Sequence, residues 1–133
     1  MRKTFALLGF ICVSAACAHT STSDAAAIAV AESVNGKSAR TLRLMLSATP
    51  AETCIAGEWK AARVIDDPSG YTRRPAYKIE GDHLEVLLVN ELCDSYDSYA
   101  GTLSGSSFTG EHVLYGLGYS KVVGTVVGVA GGP

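Results

Sequence analysis

Three observations predict an all-β protein. Apolar and polar residues alternate with period two over most of the chain, no long helical pattern follows residue 39, and nine of the 14 glycines lie between Gly101 and Gly132. Glycine inside a strand marks a bulge, a tight bend or the close approach of another backbone. Small sheets that close on themselves need such places to curve, and closure protects their edges. The expected architecture is therefore a small antiparallel β-barrel or sandwich of about 6–8 strands, placed after a signal peptide and a short tether. The expected boundaries are 1–16 for the signal, 17–38 for the tether and 39–133 for the β domain.

The chain opens with Arg2 and Lys3, an apolar core of 13 residues from Thr4 to Ala16, and the small residues Ser14, Ala15 and Ala16 at its end. That order is a secretory signal, and the core falls short of the roughly 20 residues that span a bilayer. Two cleavages compete. Ala16-Cys17-Ala18 fits an A-x-A site that would remove Cys17. Ser14-Ala15-Ala16-Cys17 instead resembles a bacterial lipobox, which implies a diacylglyceryl group on Cys17 and cleavage just before it. The polar run Ala18–Ala25, "AHTSTSDA", suits a tether between membrane and domain, and favours the lipid reading. The implied location is the cell envelope, with the membrane engaged through the lipid; a soluble periplasmic or secreted protein is the alternative.

Cysteine parity agrees with export. Cys12 leaves with the signal and Cys17 is acylated or lost, so Cys54 and Cys93 remain as a pair. A disulfide between them is the default in an oxidising compartment, and closing a loop of about 40 residues is worth about 4 kcal/mol on the chain-entropy model. Loss of Arg2 and Lys3 leaves 9 basic residues against 13 acidic ones. With no basic run beyond Arg73-Arg74, nucleic acid is excluded as a partner.

The elements follow in order. Residues 24–38 read as an alanine-rich helix capped by Asp24 and ended by Asn35-Gly36, although the same Asn-Gly would serve as a hairpin turn into the next strand. "ARTLRLMLS" puts Leu42, Leu44 and Leu46 on one face of a half-buried strand. "CIAGEWKAARVI" puts Ile55, Gly57 and Trp59 on one face of the next. "DDPSGYTRRP" is turn material. Tyr77 and Ile79 lead through Gly81-Asp82 to Leu84, Val86 and Leu88, the clearest hairpin. "ELCDSYDSY" reads as a polar link carrying Asp94 and Asp97 in a solvated loop. A further hairpin turns near Gly105-Ser106, and "YSKVVGTVVGVA" makes the last strand.

Gly57-Glu58-Trp59 resembles the G-x-W of calycins, the group that includes lipocalins, avidins and small bacterial protease inhibitors. The resemblance implies a barrel in which Trp59 plugs one end and Gly57 permits close packing. A simple meander raises a difficulty for the disulfide. It starts Cys54 and Cys93 at opposite ends of the sheet, whereas a disulfide needs Cα atoms within about 7 Å. Either residues 91–97 fold back, or the connection is not a plain meander, or the thiols stay free.

No catalytic residue, metal ligand set or cofactor motif is assigned. There is no H-x-x-x-H, C-x-x-C or G-x-S-x-G. A His83–Glu111–His112 metal site would require their strands to adjoin, and the histidines otherwise read as surface residues. Trp59, Tyr77, Tyr96 and Tyr99 are the candidate binding residues, since rigid amphipathic rings suit ligand or protein contact. The function these features point to is a non-catalytic envelope lipoprotein module that binds an envelope protein or a small ligand. A periplasmic protease inhibitor of the G-x-W barrel type and a soluble small-ligand carrier are the alternatives.

Overall fold

A computed structural model describes residues 26–131. Residues 1–25, including Cys17 and the segment expected to be a signal, lie outside the described residues. Eight strands follow in order: β1 Ala27–Val34, β2 Lys37–Pro50, β3 Lys60–Asp66, β4 Ala76–Glu80, β5 His83–Leu87, β6 Tyr96–Ser104, β7 Ser107–Gly116 and β8 Tyr119–Gly131. Each pairs antiparallel with its neighbours in sequence, and β8 pairs with β1, so the all-β meander closes into a barrel. No edge is left open.

The helix expected over 24–38 is not formed, and the barrel extends back to Ala27 rather than starting at residue 39. Ile28 and Val30 are β-branched and alternate inward, and Asn35 and Gly36 both take positive φ, at 51° and 73°. Two positive φ values make the tight turn whose twist matches a hairpin, so local turn chemistry and alternation outweigh the helix propensity of the alanines.

Eight strands enclose an interior just wide enough for side chains to fill. Ile28, Leu42, Leu44, Leu84, Val86 and Phe108 occupy it, each nearly or wholly buried. Arg43, Arg63 and Glu111 project outward and are exposed. Ile79, placed inward by the alternation, ends at an open rim and is exposed. Gly101 and Gly110 face each other inward across β6 and β7, where a Cβ on either would strike the backbone of the opposite strand. The strands come together there because both residues lack one.

The barrel has two unlike ends. Ala27 and Gly131 pair at one, here called proximal, together with the β2–β3, β4–β5 and β6–β7 connections. At the distal end lie the β1–β2 turn and the segments 67–75, 88–95 and 117–118.

The conflict over the cysteines resolves in the segment 51–59, which is not the strand that its alternation predicts. It lies back over the outer face of β4 and β5, where Ala51, Ile55 and Trp59 pack on Ala76 and Leu87. Asn90 Nδ2 donates to Glu52 O at 2.8 Å. Cys54 is thereby carried to Cys93, and the two form a disulfide with Cα atoms 5.5 Å apart. A plain meander and the disulfide coexist because β4 and β5 are only five residues each, short enough for one overlying segment to cross. Trp59 is buried on the outside of the barrel and does not plug its end. Gly57 nonetheless sits close to it: φ is +127°, and a Cβ there would lie 3.3 Å from Trp59 Nε1.

Candidate functional site

The distal half of the interior is charged. Glu32 on β1, Arg40 on β2, Asp97 and Tyr99 on β6 and His112 on β7 all point inward toward the distal mouth. Register brings them together, since Glu32 pairs with Arg40 and Tyr99 with His112. The register of β1 against β2 shifts directly after Glu32, and that of β7 against β8 directly after His112. Such irregularities re-aim side chains next to functional sites. Gly124, paired with His112, completes the space: a Cβ there would approach Glu32 Oε1 to 2.9 Å and Ser33 O to 3.0 Å.

His112 Nδ1 lies 2.6 Å from Glu32 Oε1, and Nε2 lies 2.7 Å from Asp97 Oδ2. A protonated ring donates to both carboxylates, so the arrangement favours the imidazolium. Burial opposes that charge, but the hydrogen bonds to Asp97 and Glu32 outweigh it and hold the His112 pKa above the usual imidazole range. Glu32 also accepts from Arg40 Nε at 3.1 Å, Arg40 Nη2 at 2.9 Å and Tyr99 Oη at 2.8 Å, all on Oε2. Desolvation would raise the Glu32 pKa; these donors, with His112 foremost, bring it below the ordinary carboxylate value.

The guanidinium of Arg40 lies between two tyrosine rings, 4.6 Å from the centroid of Tyr71 above and 5.8 Å from that of Tyr99 below. Burial disfavours its charge, while Tyr99 and Glu32 favour it and leave the pKa raised. Burial first and then the negative charge of Asp97 raise the Tyr71 pKa. Burial and the hydrogen bond to Glu32 raise that of Tyr99.

Two clefts open over this cluster. One of about 530 Å³ is floored by Glu32, Arg40, Asp97 and His112. The second, about 320 Å³, is walled by Tyr71, Tyr96, Tyr115 and Tyr119. Tyr71, Asp97 and Leu114 belong to both, so the clefts meet at the mouth. Both volumes fall in the range of about 300–1,000 Å³ found for small-ligand sites.

Of the four aromatic candidates from the sequence, only Tyr96 lines either of these two clefts. It stacks on Tyr115 at 4.7 Å between ring centroids. Trp59 covers the outer face of β4–β5. Tyr77 is an interior residue whose hydroxyl donates to Ser47 O at 2.7 Å. Tyr99 is buried beneath the mouth, where its hydroxyl serves Glu32. Asp97, expected in a solvated loop, is an inward residue of β6 and 3% exposed. His112, expected at the surface, is the centre of the cluster. The His83–Glu111–His112 metal arrangement is not assembled: His83 pairs with Thr102 on β6, and Glu111 points away from His112. Among the described residues no group of three potential ligands is positioned for a metal ion.

The sequence did hold a signal for the missed residues. Glu32 continues the inward series Ile28, Val30, and His112 continues Phe108, Gly110. A charged residue in an inward series is either a mistaken face or a buried, partnered group. The whole is a small closed barrel with a filled apolar body and a charged, two-cleft mouth. No family model, no curated protein and no solved structure matches the chain.

Proposed function

We propose that the protein is an exported envelope lipoprotein whose barrel is a non-catalytic binding module working through its distal mouth. One observation carries the reading. Exposed aromatic and aliphatic side chains gather on the distal connections: Tyr71, Leu92, Leu117 and Tyr119 come from three different segments around the clefts. Clustered exposed apolar side chains rimmed by polar groups mark interaction sites. β1 enters at the proximal end, so a lipid on Cys17 would leave the mouth facing away from the membrane. The Cys54–Cys93 disulfide supports an oxidising compartment. The filled interior directs the ligand to the mouth rather than to a cavity inside the barrel. A non-catalytic role is supported by His112, whose two nitrogens are both held by carboxylates of the protein itself.

The protease-inhibitor reading draws support from Leu117. Its side chain is 81% exposed on the two-residue β7–β8 turn, a projecting shape able to enter an active-site cleft.

Two measurements test the proposal. The intact mass of membrane-extracted protein should begin at Cys17 and carry a diacylglyceryl addition. An unmodified species beginning at His19 would remove the anchor. A photo-crosslinking residue at Tyr119 should trap a partner in intact cells, while one at Val129, exposed on the outer face of β8, should not. Equal labelling from both positions would defeat the distal-mouth reading.

A further inference from the structure

We infer that the distal mouth is a carbohydrate site, taking a neutral polyhydroxylated ligand whose sugar faces stack on Tyr71, Tyr115 and Tyr119 and whose hydroxyls bond Asp97 and Arg73. The inference rests on the distal-mouth reading and names the ligand class for it. The first observation is the wall chemistry. Four tyrosines and one carboxylate line the smaller cleft, with Arg73 and Ser95 beside them. Tyrosine offers a flat, rigid apolar face at low entropic cost together with a hydroxyl, which matches a ring that is C–H on its faces and O–H at its edges. Tyr119 is 61% exposed, yet its ring lies directly over Gly116, in space that any Cβ at that position would occupy. Tyr115 is braced by its stack on Tyr96.

The second observation is charge balance. The charged side chains lining the two clefts are Arg40, Arg73, His112, Glu32 and Asp97, and Glu91, just outside them, balances Arg73. All six are paired. Arg40 and His112 are bound to Glu32, His112 also to Asp97, and Arg73 Nε lies 3.3 Å from Glu91. An ion of either sign would therefore compete with an existing partner and find no surplus field to hold it. A neutral ligand carrying both donors and acceptors adds hydrogen bonds without disturbing those pairs. The clefts adjoin through Tyr71, Asp97 and Leu114, so a chain of sugars can span them where a single ring fills one.

Isotope-edited NMR titration of the full chain tests this, with maltotriose, cellotriose and chitotriose as probes. Glucose and N-acetylglucosamine separate free sugars from glycan chains, and benzoate and tetramethylammonium serve as ionic probes. At least one trisaccharide should shift Tyr71, Asp97, Tyr115 and Tyr119 saturably, with its monosaccharide at least tenfold weaker. Tyr119→Ala, on an exposed side chain, should weaken that binding at least tenfold and leave the melting temperature unchanged. Equal affinity for mono- and trisaccharide would uphold the chemistry and assign a free sugar as its source. A response to benzoate or tetramethylammonium with none to the sugars would overturn the carbohydrate assignment and leave the distal mouth as a binding site. If no probe shifts these residues the carbohydrate assignment also falls, and Tyr119 crosslinking then decides whether the mouth reading survives.

Discussion

The two halves of this barrel are closed by different forces. In the proximal half Leu44, Leu84, Val86 and Phe108 meet without directional demands, and burial of their apolar surface suffices. In the distal half the strands meet through Glu32, Arg40, Asp97, Tyr99 and His112, where each group depends on a specific partner at a specific distance. An apolar residue that loses a neighbour loses contact area. A buried ion that loses a neighbour keeps its full desolvation cost. The proximal half is therefore tolerant and insensitive to pH, and the distal half is neither. Such a division is expected where one end holds the barrel together and the other meets a ligand.

The largest effect should come from Glu32→Ala. That change strands Arg40 and the Tyr99 hydroxyl, leaves His112 with Asp97 alone, and should cost about 3–5 kcal/mol in urea unfolding. Leu84→Ala, at a wholly buried proximal site, should cost about 2–4 kcal/mol, as cavity-forming substitutions do. A Glu32→Ala variant as stable as the parent would show that the cluster closes nothing, and the contrast would collapse.

The pH profile separates the halves next. The folded pKa of His112 is raised. Its contribution is thus complete below the unfolded value near pH 6.5 and is lost as pH rises through the folded value. The folded pKa of Glu32 is lowered. Its contribution is complete above the unfolded value near pH 4.5 and is lost as pH falls through the folded value. Asp67, whose pKa is brought to about 2, adds to the acid loss: burial opposes its charge, but the donors Ser69 and Thr72 prevail. Stability should be flat between about pH 4.5 and 6.5 and fall on both sides. Leu84→Ala should shift this profile down without changing its shape. His112→Gln should abolish the part of the alkaline arm that begins near pH 6.5 and leave the loss above about pH 10 that the raised Tyr71 and Tyr99 pKa values predict; an arm beginning near pH 6.5 in that variant would assign it to another group.

The proximal half was far more legible in the sequence than the distal one. Leu42, Leu44 and Leu46 declare their inward face by period two alone, and the Gly81-Asp82 and Gly105-Ser106 turns fall where their residue types place them. The cluster was hidden by the same rule. Glu32 lay in a stretch whose alanines favoured a helix, and Asp97 sat among residues that read as a loop. His112 was adjacent to an exposed glutamate. Their partners lie 8, 15, 67 and 80 residues apart along the chain, so no local pattern joins them. Trp59 misled in the opposite way. Its alternation with Ile55 is real, but both residues cover the outside of β4–β5 rather than the interior. Periodicity identifies a buried face without saying which side of the sheet buries it.

The smallest and sharpest test is Tyr99→Phe. Tyr99 belongs to both halves: its ring packs in the apolar cluster and its hydroxyl donates to Glu32 Oε2. The substitution keeps the ring and removes one donor from a carboxylate that retains Arg40 and His112. A hydrogen bond to a charged group is worth about 1.5–3 kcal/mol, and the remaining donors should hold the loss near the lower figure. The same change should raise the Glu32 pKa toward its ordinary value, moving the acid arm of the profile to higher pH while leaving in place the part of the alkaline arm that begins at about pH 6.5. A ring that mattered only for packing would leave both arms unmoved. The displacement of the acid arm therefore reports on the hydroxyl, which makes this single atom the place where directional bonding in one half can be separated from packing in the other.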